Sequence, residues 1–159
     1  MKTSLRILTL ALATLMVLCV LASCGGSQES GYAFKAGSVT LTIGAKASVV
    51  DNLGNPIQPV QESGACGGIP GTDRLYIFNG YRIKTTPGHD GDVICMIELT
   101  DDSVATPEGL TIGSTKAQVT SAMGTGEASG ENLIYKKGNM KLQFLIRDGY
   151  VTNIQYLTV

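Results

Sequence analysis

Residues 110–124 read LTIGSTKAQVTSAMG, and an earlier segment at residues 41–54, LTIGAKASVVDNLG, matches them closely. Both segments begin with Leu-Thr-Ile-Gly, and after one gap Lys, Ala, Val and Gly recur at corresponding positions. The match continues further along, where Ile94-x-x-Ile97-x-Leu99 corresponds to Val151-x-x-Ile154-x-Tyr156. The pattern predicts a single domain at residues 38–159 made of two repeats, residues 38–102 and 106–159.

Each copy predicts a short helix followed by strands. The first helix is predicted at residues 45–53, ending at Gly54. The second begins near Lys116, where Thr115 and Gln118 form a capping box, and ends at Gly124. Alternation of apolar and polar residues then predicts the strands, with a long loop at residues 58–73. The predicted strands are residues 38–43, 75–78, 81–86 and 92–100 in the first copy and 132–136, 140–146 and 151–157 in the second.

The predicted elements are too small to be stable separately. A helix of two turns and an isolated meander of three strands are both marginal in water. We therefore expect an α+β fold of two tandem helix-plus-three-strand units. They would share one antiparallel sheet, with the short helices packed on one face and the other face open.

The N-terminus is typical of a secretory signal peptide at residues 1–23. Lys2 and Arg6 precede an apolar run at residues 7–20, which is short for a retained membrane helix. Leu-Ala-Ser-Cys, ending at Cys24, resembles the bacterial lipobox, whose cysteine is acylated and becomes the new N-terminus. The alternative is an ordinary signal with a coincidental cysteine. Residues 24–37 are predicted to be a flexible tether after lipidated Cys24.

Composition excludes some classes of function. The chain has 159 residues and a formal net charge of −1, so nothing in its charge favours a nucleic-acid partner. Its 20 glycines and lack of tryptophan favour turns and short strands. Cys66 and Cys95 remain after processing, and outside the cytoplasm such a pair predicts a disulfide. The alternative is two separate buried thiols, because Cys95 lies in an apolar strand.

No catalytic motif, cofactor fingerprint or metal site is predicted, and we expect a protein that is not an enzyme. His89, the only histidine, lies in Pro-Gly-His-Asp-Gly-Asp, which is typical of a polar turn. Alternation places most aromatic residues in the core. Tyrosines that reach the open face would be natural partner contacts. The candidates are Tyr76, Tyr81, Tyr135 and Tyr156.

The second copy also carries a wider pattern, G-x-[ST]-x-x-x-V-x-x-x-x-G, then a tyrosine strand, then D-G-x-V-x-x-I. The matching residues are Gly113, Thr115, Val119, Gly124, Tyr135, Asp148, Gly149, Val151 and Ile154. It resembles the β-lactamase-inhibitor-protein-like group, which includes the small lipoprotein of the outer-membrane barrel-assembly machinery. The resemblance implies binding to other proteins, often through the face of the sheet, and no functional residue of the group matches a position here.

These observations predict a lipoprotein on the extracytoplasmic face of a bacterial cell membrane, at the outer surface or in the periplasm. Its lipid would bind the membrane, and its domain would be a non-catalytic module that binds an envelope protein or peptide. One alternative is an envelope hydrolase or thiol enzyme that uses His89. The other is a structural or scaffolding lipoprotein.

Overall fold

A computed structural model describes residues 31–65 and 68–159 of the chain. It contains ten strands, one 3₁₀ helix and one α-helix within those residues. In chain order the elements are β1 (Ala33–Ala36), β2 (Val39–Thr42), the 3₁₀ helix (Ala47–Leu53), β3 (Gln61–Gly64), β4 (Thr72–Ile77), β5 (Tyr81–Thr86), β6 (Val93–Leu99), α1 (Lys116–Met123), β7 (Glu127–Ser129), β8 (Asn132–Lys137), β9 (Met140–Arg147) and β10 (Tyr150–Thr158).

Eight of the strands form one antiparallel sheet in the order β3-β4-β5-β6-β10-β9-β8-β7. The sheet is therefore two four-stranded meanders joined through their last strands. At this seam Leu99 of β6 lies opposite Ile154 of β10, and Ile97 lies opposite Tyr156. β1 and β2 form a separate two-stranded hairpin.

The expected α+β fold of tandem helix-plus-three-strand units is wrong, because the described chain is mostly β. Its helical elements are a 3₁₀ helix of seven residues and an α-helix of eight. Each is followed by four strands rather than three. The missed strands, β3 and β7, are exposed at every residue and carry no large apolar side chain, so they lack the alternation that identified the others. β1 lies within the predicted tether, where Phe34 is fully buried.

The hydrophobic core lies on one face of the large sheet. Ile97, Leu142 and Tyr156 supply fully buried side chains from the sheet. The elements outside the sheet contribute to the same cluster, through Phe34 and Leu41 of the hairpin, Val50 of the 3₁₀ helix and Val119 of α1. These elements therefore cover that face of the sheet.

The two Leu-Thr-Ile-Gly segments make matching hydrogen bonds. Gly44 N donates to Ile94 O at 2.8 Å, and Gly113 N donates to Val151 O at 2.8 Å. Both glycines have positive φ, +84° and +87°, which L-residues with a β-carbon rarely adopt. Each segment thus ties the chain before the helix to the start of the last strand of its own meander. This common role explains why the two segments are alike.

Candidate functional site

The face of the large sheet opposite the core is not covered by any described element. Six half-buried apolar side chains point away from the core cluster, and strand alternation places them on this second face. We call this surface the open face. Its apolar members are Leu75, Ile77, Met96, Ile134, Leu145 and Leu157.

A nearly buried carboxylate lies at the centre of the open face. Glu98, in β6, is only 5% exposed. Its Oε1 accepts hydrogen bonds from Asn153 Nδ2 at 2.6 Å and Gln155 Nε2 at 3.2 Å, and its Oε2 accepts one from Arg82 Nε. Arg82 and Gln155 lie directly opposite Glu98 on the two neighbouring strands. The register of the sheet therefore assembles this cluster.

Electrostatics keep Glu98 ionised. Burial alone would raise the pKa of its carboxyl, because the charged form loses water. The hydrogen bonds from Arg82, Asn153 and Gln155 outweigh this effect and hold the pKa of Glu98 below its ordinary value. The open face therefore holds a fixed ion pair of Glu98 and Arg82, with the amide donors of Asn153 and Gln155 beside it.

A shallow cavity of about 290 Å³ lies beside this cluster. Asp73 is 4% exposed, and Lys84 Nζ lies 2.8 Å from its Oδ2. Hydrogen bonds from the side chains of Lys84 and Thr86 lower the pKa of Asp73. The cavity is lined by Gln61, Glu62, Ser63, Asp73, Leu75, Lys84 and Met96.

The four tyrosines predicted as partner contacts all lie on the core face. Tyr76 is half-buried and packs against the core, and Tyr81 packs between Phe34 and Phe78, each ring 5.1 Å away. Tyr135 is 6% exposed, and Tyr156 is fully buried. These four strand tyrosines are in phase with the core residues, so Tyr135 and Tyr156 do not reach the open face. Neither Tyr76 nor Tyr81 reaches the open face.

His89 lies on an exposed turn between β5 and β6, so it lacks the concave pocket that the hydrolase interpretation requires. Cys95 lies in β6, where a bulge interrupts the pairing with β5. Its Sγ donates to Lys84 O at 3.4 Å, and burial raises the pKa of the thiol, which disfavours the reactive thiolate. Among residues 31–65 and 68–159, no group of three or more His, Cys, Asp or Glu side chains could hold a metal ion.

Two predicted sites lie outside the described residues. Cys24 is the predicted lipid attachment site, and Cys66 is the predicted disulfide partner of Cys95. Both assignments stay predictions. Neither helix within the described ranges is long and apolar enough to cross a bilayer.

Sequence reasoning missed the Glu98 cluster. One signal was available: Glu98 interrupts the apolar run Val93–Leu99, in the sequence Val-Ile-Cys-Met-Ile-Glu-Leu. An acid flanked by Ile97 and Leu99 in a central strand must face away from the core or find a partner. Its partners on β5 and β10 depend on strand order, which the sequence does not display.

Comparisons with known proteins give one structural likeness. No protein-family profile matches the chain, and no curated protein matches it. A solved structure of a DUF4309 family protein (YjgB) from Bacillus subtilis is similar, with 17% sequence identity and a TM-score of 0.45. The match covers 77% of this chain and 83% of that chain.

Proposed function

We propose that this chain is a membrane-anchored extracytoplasmic lipoprotein whose domain is a non-catalytic protein- or peptide-binding module. The open face is its binding surface. The anchor is supported by the Leu-Ala-Ser-Cys sequence that ends at Cys24. The binding role is supported by the composition of the open face.

One observation carries the binding role. Two carboxylates that are almost buried, Glu98 and Asp73, are set among half-buried apolar side chains on an uncovered face. A surface that only faced water would gain little from holding charges in this way, because the burial of a charge is costly. Preorganised charges beside apolar contact area are what a specific interface uses to orient a partner.

The geometry indicates what a partner would supply. Leu75, Met96 and Leu157 offer apolar area that a partner could remove from water. The ion pairs of Arg82 with Glu98 and of Lys84 with Asp73 lie among these side chains, so a partner would have to present polar groups to them. We therefore infer a partner surface with apolar side chains around polar groups that complement these ion pairs.

The test compares one substitution on the open face with one on α1. Leu157→Glu places a charge on the open face, where the neighbouring Lys141 can pair with it and preserve the fold. The control, Ala117→Glu, adds the same charge at an exposed position in the first turn of α1. Each full-length chain would be isolated from cross-linked cell envelopes.

We expect a protein or peptide that co-purifies with the wild-type chain and with Ala117→Glu but is lost with Leu157→Glu. Equal recovery with all three chains would overturn the assignment of the open face. The absence of any co-purifying species would overturn the binding role.

A further inference from the structure

Three lysines lie where β8 turns into β9, Lys136 and Lys141 on the open face and Lys137 on the core face. Lys136 and Lys137 end β8, and Lys141 follows the turn in β9. Lys136 and Lys141 lie directly opposite one another, an arrangement that destabilises an antiparallel pair when the charges are alike. Lys136 pairs with Glu127 at 2.6 Å, whereas Lys137 and Lys141 have no ion pair within the described residues. This end of the hairpin therefore carries a net positive charge.

The chain enters the domain beside these lysines. Gly31, the first described residue, lies directly against Met140, because a β-carbon on Gly31 would be 2.2 Å from Met140 Sδ. Met140 is in turn the cross-strand partner of Lys137. Only residues 25–30 separate Cys24 from Gly31. Fully extended, those six residues span about 20 Å at most.

Glu127 neutralises Lys136, and the nearest acidic turn is too far away to neutralise Lys137 and Lys141 as well. Asp90 and Asp92 lie in the turn between β5 and β6, at the same end of the sheet. Three strand spacings separate the two turns, a distance of about 14 Å. This exceeds the Debye length of about 8 Å at physiological ionic strength.

We infer that Lys136, Lys137 and Lys141 form a docking surface for anionic phospholipid headgroups of the membrane that holds the lipid anchor. This inference rests on the anchor of the proposed function. A short tether keeps the lysines near the headgroups, and basic residues close to an anionic leaflet are attracted to it. The β8–β9 turn would face the bilayer and the strands would run away from it, leaving the rest of the open face accessible to a partner.

The test measures lysine acetylation by mass spectrometry on the full chain, purified from membranes with its anchor. The chain is reconstituted into vesicles of phosphatidylcholine alone or of phosphatidylcholine mixed with phosphatidylglycerol. We expect Lys137 and Lys141 to react several-fold more slowly in the anionic vesicles, on the order of fivefold for each lysine. High salt should abolish the difference.

Lys116 is the internal control. Its backbone N–H bonds Gly149 O at 2.9 Å, which places it at the opposite end of β9 and β10. Its acetylation should be the same in both vesicles. Equal rates for Lys137 in the two vesicles, or equal slowing of Lys116, would overturn the inference.

A double variant, Lys137→Gln with Lys141→Gln, gives a second measurement. Hydrogen exchange in the β8–β9 turn should slow in anionic vesicles for the wild-type chain and not for the variant. Equal slowing in both would also overturn the inference. Flotation with neutral vesicles tests separately whether the chain carries its lipid anchor, and failure to float would refute the anchor. If the chain floats but its lysines are not protected from acetylation in anionic vesicles, only the lysine surface is refuted.

Discussion

Asn153 Nδ2 donates a hydrogen bond to Glu98 Oε1 at 2.6 Å across the seam between the two meanders. On the opposite face of the same strand pair, Tyr156 lies opposite Ile97 in the buried core. The seam therefore has an apolar side that stabilises the fold and a polar side that belongs to the open face. Glu98 links the stability of the sheet to the proposed binding surface.

Replacing Glu98 should weaken the fold more than replacing an exposed acid. We expect Glu98→Gln to lower the free energy of unfolding by about 1–2 kcal/mol, because charge-assisted hydrogen bonds are lost in a nearly buried place while Arg82 remains partly solvated. The matched control is Glu127→Gln, whose ion pair with Lys136 is exposed on both sides. Glu127→Gln should lower the free energy of unfolding by less than about 1 kcal/mol. Urea unfolding measures the free energy of unfolding of both variants. Equal losses in Glu98→Gln and Glu127→Gln would contradict the role of Glu98.

The contribution of Glu98 should depend on pH. Its pKa is lowered in the folded state, so its contribution is complete above the ordinary value of 4.5 and is lost as the pH falls through the folded value. The difference in unfolding free energy between wild type and Glu98→Gln should therefore be constant near neutral pH and shrink in acid. Urea titrations at a series of pH values test this. A difference that grows in acid would show that the pKa is raised instead.

Loss of the hydroxyl should change the free energy of unfolding differently at two buried tyrosines, Tyr135 and Tyr156. Tyr135 Oη donates to Gly124 O at 3.0 Å, so Tyr135→Phe should cost about 0.5–1.5 kcal/mol. Tyr156 Oη is buried without a hydrogen-bond partner in the described part of the chain, and burial raises the pKa of this hydroxyl. Tyr156→Phe should therefore be neutral or stabilising. A loss in Tyr156→Phe equal to that in Tyr135→Phe would indicate a partner for the hydroxyl.

The two corresponding glycines of the Leu-Thr-Ile-Gly segments, Gly44 and Gly113, should be equally sensitive to substitution by alanine. A β-carbon at Gly44 or Gly113 would meet no atom within 4 Å, so the cost of alanine comes from the positive φ alone. We expect Gly44→Ala and Gly113→Ala each to lose about 1–2 kcal/mol in thermal or urea unfolding. A neutral result at only one of them would show that the two segments are not equivalent.

Sequence patterns predicted the strands that alternate and missed those that do not. In β9, every second residue from Met140 to Phe144 is buried, and this alternation is visible in the sequence. The capping box of Thr115 and Gln118 is present as predicted. The polar edge strands β3 and β7 carry no such pattern, because neither face of them is buried.

The functional surface was harder to predict than the strands. The sequence suggested that one face of the sheet would be open, yet the tyrosines expected there follow the core phase instead. Glu98 and its partners come from three strands that meet only through the pairing of β6 with β10. That pairing is between elements far apart in the chain, and local periodicity carries no information about it.

Site-specific photo-cross-linking in living cells tests the binding role of the open face most directly. A photoreactive amino acid would replace Gln143, on the open face, and in a matched chain Thr120, on the exposed side of α1. We predict a discrete cross-linked product from position 143 and none from position 120. No product from position 143, or the same product from both, would contradict the open face as the binding surface.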